Sequence, residues 1–130
     1  MFARLRKSDG QAAVEMALIL PILVVLVLAI AQFGIAFNNY LTLTDATRAG
    51  ARKAAVSRFA GDGGTAAKAL VMSDASSVPG VSATVTSSDP TWSVPGSDVV
   101  VTATAPYSIN ILGWVIKAGN LTSTTTESLE

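Results

Sequence analysis

One uninterrupted apolar run limits the folds that are open to this chain. The 22 residues from Met16 to Phe37 include no charged side chain and a single amide, Gln32. At about 1.5 Å per residue, a helix of this length measures about 33 Å, which is enough to cross a bilayer core of about 30 Å. We therefore expect one transmembrane segment over about residues 16–37.

The helical pattern continues past the apolar run. Residues 38–60, NNYLTLTDATRAGARKAAVSRFA, are rich in alanine and lack proline. Ala46, Gly50 and Ala54 recur every fourth residue, so they share one helix face and predict a packing surface for the domain's own sheet. The glycine-rich stretch 61–64 then ends the pattern. We predict one helix from about residue 12 to 60, in a unit that covers residues 11–60.

The composition changes after the glycines. Residues 65–76 predict a short helix, and residues 81–87, 98–106 and 121–129 predict strands because they are rich in β-branched residues. The apolar stretch 107–116 fits a strand, a loop or a segment that lies on a membrane. A sheet this small needs a helix over one face. The predicted class is α+β: a long N-terminal transmembrane helix that extends into a small antiparallel β-sheet domain, residues 61–130.

The residue inventory argues against catalysis. Cysteine and histidine are both absent from the 130 residues. Their absence removes disulfides, most zinc and haem sites and histidine-based acid–base chemistry. The formal net charge is zero, so nothing indicates a nucleic-acid partner. We predict a chain that is not an enzyme, has no cofactor or metal and binds no nucleic acid.

Basic residues flank the apolar run on both sides. The leader, residues 1–10, carries Arg4, Arg6 and Lys7, which favours a cytoplasmic N-terminus. Four more basic residues lie between positions 48 and 58, after the run: Arg48, Arg52, Lys53 and Arg58. Charge counting alone therefore leaves the orientation close to a tie.

Glu15 stands at the start of the apolar run and has three interpretations. A secretory signal peptide would be cut after Ala31, although this run is longer than such signals need. A plain single-span anchor would keep Glu15 at the level of the lipid headgroups, where a carboxylate near a helix N-terminus is stable. In the third interpretation, Glu15 belongs to a processing and assembly signal.

The stretch KSDGQAAVEMALILP resembles a class III type IV prepilin signal. The resemblance implies that a prepilin peptidase cuts between Gly10 and Gln11 on the cytoplasmic side, so that Glu15 becomes the fifth residue of the mature chain. Mature chains of that family usually begin with phenylalanine, and Gln11 departs from this pattern. In such filaments the glutamate meets the terminal amine of a neighbouring subunit, which implies that Glu15 and Gln11 act in subunit assembly.

Three further landmarks narrow the resemblance. AVEMALILP at 13–21, the Phe33-Gly34 pair and the ATRAGAR segment at 46–52 are similar to TadE-like pseudopilins of tight-adherence (Flp) pilus systems. The resemblance implies a minor pilin that helps to initiate, assemble or cap an adhesive type IV pilus. It implies a single-pass protein of the cytoplasmic (inner) membrane, with its C-terminal domain outside and with incorporation into the pilus.

The implied partners are the prepilin peptidase, other pilin or pseudopilin subunits, the pilus assembly platform and membrane lipid. Two other functions stay open at this point. The chain is alternatively the principal filament subunit, or a membrane-anchored binding module that never polymerises.

Overall fold

The structure is a computed structural model that describes residues 5–57, 62 and 64–130. Two basic residues named above, Arg4 and Arg58, lie outside the described residues, as do Gly61 and Gly63 of the predicted helix end. The elements are α1 (Leu5–Ala55), α2 (Thr65–Asp74), β1 (Ser82–Ser87), β2 (Asp98–Ile111) and β3 (Trp114–Ser128).

Helix α1 runs from Leu5, the first described residue, to Ala55, so it includes residues before position 12 and ends earlier than the predicted position 60. It ends at Ala55 because Ser57 donates two hydrogen bonds, from its backbone N–H and from its hydroxyl, to the carbonyl of Ala54. The N–H of Glu130 donates to the carbonyl of Ala55 at 3.0 Å. The backbone N–H of Glu130 thus caps the helix, a contact that the local sequence around Ala55 does not indicate.

The three strands form one antiparallel sheet in the order β1-β2-β3. The predicted short helix and the three predicted strands are all present. The undecided stretch 107–116 is a hairpin: β2 and β3 stay paired to Ile111 and Trp114, and a two-residue turn joins them. The hairpin therefore extends well beyond β1, whose pairing with β2 stops at Thr104.

The core lies between the sheet and the C-terminal half of α1. Alternate residues of β2 are buried because successive side chains of a strand point to opposite faces: Val99, Val101, Ala103 and Ala105. Leu43, Ala46 and Ala54 meet them from α1, and Val71 completes the cluster from α2. The α+β prediction is confirmed, and the sheet packs on the C-terminal half of the long helix as expected.

Candidate functional site

The N-terminal half of α1 presents an apolar surface on every side. Each residue from 10 to 28 is exposed, and the most apolar window of 18 residues has no buried part. Among the described residues, this helix is the one that is long and apolar enough to cross a membrane. The structure thus supports a single-pass anchor, and the C-terminal half of α1 belongs to the folded domain.

Gln11 and Glu15 lie on one face of the exposed helix, four residues apart. The side-chain amide of Gln11 donates a hydrogen bond of 3.2 Å to Oε1 of Glu15. Gly10 precedes Gln11 inside the same helix, and a β-carbon at Gly10 would meet nothing within 4 Å. The neighbours Val14 and Met16 are exposed apolar side chains. Among the side chains that the structure describes, the carboxylate is therefore a polar group on an apolar surface, with the neutral amide of Gln11 beside it.

The structure brings two residues of the motif, Gln11 and Glu15, into contact, and the Gly10–Gln11 peptide bond directly precedes this pair in the helix. Glu15 lies outside the contact between α1 and the sheet, because about 17 helical residues, or about 26 Å, separate it from Gln32, which lines a groove with Ser108 of β2. No group of three or more acidic side chains able to hold a metal occurs among the described residues.

The small-residue face of α1 is occupied by the chain's own domain. A β-carbon at Gly50 would overlap Cγ2 of Val71, and it would lie 3.5 Å from Cγ1 of Val101. Ala46 and Ala54, one turn to each side, are buried as well. The predicted packing surface is confirmed, and it meets α2 in addition to the sheet.

A buried hydroxyl cluster joins α1 to β3. Thr47, which is fully buried, lies with its Oγ1 3.0 Å from Oγ of Ser123, and the hydroxyl of Thr125 donates to it at 3.3 Å. Thr47 also donates to the carbonyl of Thr44 at 2.9 Å. Sequence reasoning missed this cluster, because a threonine inside a helix gives no local sign of a partner on a distant strand.

Asp89 organises the connection between β1 and β2. Its carboxylate accepts hydrogen bonds from the hydroxyl of Thr91 and from the backbone N–H groups of Val94, Ser93 and Thr91. The Thr91 hydroxyl, followed by those N–H groups, holds the pKa of Asp89 well below its usual range. The sequence signal was present, since aspartate before proline and threonine is typical of a side-chain-stabilised turn.

The two tryptophans lie in different surroundings. Trp92 packs against the core, and a β-carbon at Gly64 would lie 2.7 Å from the Trp92 ring. Trp114 is exposed at the end of the β2–β3 hairpin. The exposed residues Arg48, Arg52 and Lys53 form a basic face on α1, away from the sheet.

A comparison with protein families bears on the part of the chain that carries Gly10, Gln11 and Glu15. Residues 10–52 match the family model described as TadE-like protein. No curated protein and no solved structure gives a significant match to the chain. The family match begins at the predicted cleavage position and includes the apolar span and the small-residue face. It confirms the resemblance seen in the sequence, and residues 10–52 are therefore a TadE-like segment.

Proposed function

We propose that the chain is a minor pseudopilin that contributes to the initiation, assembly or capping of a tight-adherence (Flp) type IV pilus. The observation that carries the proposal is the TadE-like match over residues 10–52, which starts at Gly10 and includes Glu15. In this proposal α1 anchors the chain in the cytoplasmic membrane, the N-terminus lies in the cytoplasm and the sheet domain lies outside.

The exposed N-terminal half of α1 supports an assembly role. The sheet domain covers α1 only on its outer part, so the apolar surface from residue 10 to 28 is open on all sides. Helices of neighbouring subunits fit such a surface, and lipid covers it before assembly. The proposed partners are therefore other pilin subunits, together with the pilus assembly platform that would receive them.

Glu15 supplies the specificity of this association. A charge costs on the order of 2.5–3.5 kcal/mol at the centre of a membrane helix on insertion scales, and Glu15, at the start of the span, bears part of this cost unless it has a partner of opposite charge. Cleavage after Gly10 gives Gln11 a positive α-amino group at nearly the same depth as the carboxylate. The amine of one subunit and Glu15 of its neighbour neutralise each other, and the pair sets the axial register between subunits.

Processing is the first step to test. Gly10 lies inside α1, where a glycine lowers helix stability by about 0.5–1 kcal/mol relative to alanine, so the cut position is a weak point of the helix. The measurement is the intact mass of the chain from membranes with and without a prepilin peptidase. We expect loss of residues 1–10 only when the peptidase is present.

Two other masses would contradict the proposal. An uncut chain in the presence of the peptidase would leave a plain membrane anchor, as expected for a binding module that does not polymerise. Loss of residues 1–31 would indicate a secreted domain. The amount of the processed chain in sheared fibres then separates a minor subunit from the principal one.

A further inference from the structure

The β2–β3 hairpin runs along α1 towards the apolar span. Val101 lies beside Gly50, and Ser123 lies beside Thr47. Further along β2, Ser108 lines a groove with Gln32, which is inside the apolar run of α1. The hairpin continues beyond Ser108 to its turn at Leu112 and Gly113, about 13 Å further at about 3.3 Å per residue. The turn therefore lies beyond the folded core, on the side of the apolar span.

The end of the hairpin is apolar and uncovered. The exposed fractions are 72% for Leu112, 78% for Trp114 and 64% for both Val115 and Ile116. Trp114 and Val115 are consecutive in a strand, so their side chains point to opposite faces of the ribbon. A surface for one protein partner needs apolar residues on one face only, whereas a ribbon that is apolar on both faces fits a medium that surrounds it.

The turn itself places an apolar side chain at the tip. Leu112 has φ 51° and Gly113 has φ 85°, as in the two-residue turns that normally take Asn, Asp or Gly at the first position. Leucine is a poor choice for this left-handed conformation. The chain thus keeps a strained leucine at the point that reaches furthest along the span.

From these observations we propose that residues 112–116 insert into the lipid of the outer leaflet and hold the sheet domain against the membrane. The proposal rests on the membrane span of α1 that the proposed function includes. Lys117 lies beside Phe33 and Phe37 at the base of the tip, where its ammonium group reaches lipid headgroups. Ile109 pairs with Lys117 at this level and the turn at Leu112 lies three residues further, so the tip reaches at most about 10 Å past the headgroups, into the boundary with the acyl chains. Deeper insertion would place the unpaired edges of a two-stranded ribbon in hydrocarbon, where they are not tolerated.

The test uses the fluorescence of the full chain in vesicles of phosphatidylcholine and phosphatidylglycerol. The chain has two tryptophans, and Trp92 packs near Gly64 and Val85 at the far end of the domain. Val85 pairs with Val101, at the level of Gly50, which is about 27 Å from Gln32 along α1. Trp114→Phe is therefore the matched variant, because it leaves only the distant tryptophan. Phospholipids that carry bromine either near the headgroup or near the acyl-chain end serve as quenchers.

We expect brominated lipid to remove up to half of the wild-type emission, the share of one tryptophan of two, and to leave the Trp114→Phe variant unchanged. Bromine near the headgroup should quench more strongly than bromine near the chain end. Equal emission of the wild-type chain in brominated and plain vesicles would overturn the proposal. Equal quenching of the wild type and the variant would overturn it as well.

A parallel alkaline wash of the vesicles separates this proposal from the span. If the chain resists the wash and Trp114 is not quenched, the span stands and the hairpin contact is wrong. If the wash extracts the chain, both are wrong. A blue shift of Trp114 that grows with the protein-to-lipid ratio, without quenching, would identify a second copy of the chain as the occupant and would likewise overturn the lipid contact.

Discussion

The hydroxyl of Thr47 lies 3.0 Å from that of Ser123 and joins the C-terminal part of α1 to β3 across 76 positions of the chain. Both side chains are buried, so neither has water as an alternative partner. Because Thr47 also receives the hydroxyl of Thr125, one threonine serves as the acceptor for two residues of β3. This cluster fixes the register of the sheet on the helix.

Replacement of Thr47 by valine keeps the shape of the side chain and removes the hydroxyl. We expect Thr47→Val to lower the free energy of unfolding of the domain by about 1–3 kcal/mol, because Ser123 keeps a buried polar group without its partner. Urea unfolding followed by circular dichroism measures the change. The exposed Thr126→Val on β3 is the control and should stay within about 0.5 kcal/mol of the wild type. An unchanged midpoint for Thr47→Val would show that the cluster does not stabilise the fold.

At Gly50, α1 lies close to Val71 of α2 and to Val101 of β2. We expect Gly50→Ala to lower the free energy of unfolding by about 1–3 kcal/mol, because the added methyl group overlaps Val71 in a closely packed core. Alanine is otherwise the better helix former by about 1 kcal/mol, so a loss of stability has to come from the contact. Thermal unfolding of the domain measures the effect.

Two variants check this explanation. Gly34→Ala adds the same methyl group to α1 where nothing lies within 4 Å, and it should not destabilise the domain. In the Val71→Ala background, the Gly50→Ala substitution should cost less than it does alone, because the overlapping atoms are gone. Equal costs in both backgrounds would exclude the contact as the cause.

The sequence indicates local features of this fold well and long-range contacts poorly. The apolar run and the four-residue spacing of Ala46, Gly50 and Ala54 were enough to predict the long helix and its packed face. The sequence does not predict the conformation of residues 107–116, because their apolar side chains lack the alternation of a strand with one buried face. The cap of Ala55 by Glu130 was missed, because it joins residues that are distant in the chain.

The same limit applies to the candidate site. Gly10, Gln11 and Glu15 are close in sequence and form a recognisable motif, so they could be singled out without a structure. Their roles in processing and assembly stay predictions. The hairpin tip could not be placed, because its position beside the span depends on how β2 and β3 pack along α1.

The loop around Asp89 should depend on pH. The folded-state pKa of this carboxyl lies below its usual range, so the ionised form stabilises the loop above the unfolded-state pKa of about 3.9 and this stability is lost as the pH falls towards the folded-state pKa. We expect the protection factors of the Ser93 and Val94 amide protons, which compare their exchange with that of unprotected amides at the same pH, to be high at neutral pH and to fall below about pH 4, as read by hydrogen-exchange NMR.

Asp89→Asn tests the same loop at neutral pH. The carboxylate accepts from the N–H of Thr91 with one oxygen and from those of Ser93 and Val94 with the other. The variant offers one acceptor oxygen, so either the amide of Thr91 or those of Ser93 and Val94 should exchange faster than in the wild type. The exposed Asp45→Asn on α1 is the control and should leave all three unchanged. Wild-type protection of all three amides in Asp89→Asn would contradict the role of the carboxylate.

Glu15 is the residue whose charge the proposed assembly needs. Glu15→Gln keeps an oxygen that accepts the Gln11 amide, so the local helix contact is retained and only the charge is removed. We expect the variant to insert into membranes and to be cleaved normally. Its amount in sheared pili should fall on the order of tenfold or more, because the neighbour's terminal amine would lose its partner in a site without water. Quantitative immunoblots of the sheared and membrane fractions measure both.

Glu127→Gln, an exposed substitution on β3, removes the same charge far from the span and should assemble as the wild type does. If Glu15→Gln reaches the pili in wild-type amounts, the carboxylate has no part in subunit pairing and marks only the membrane boundary.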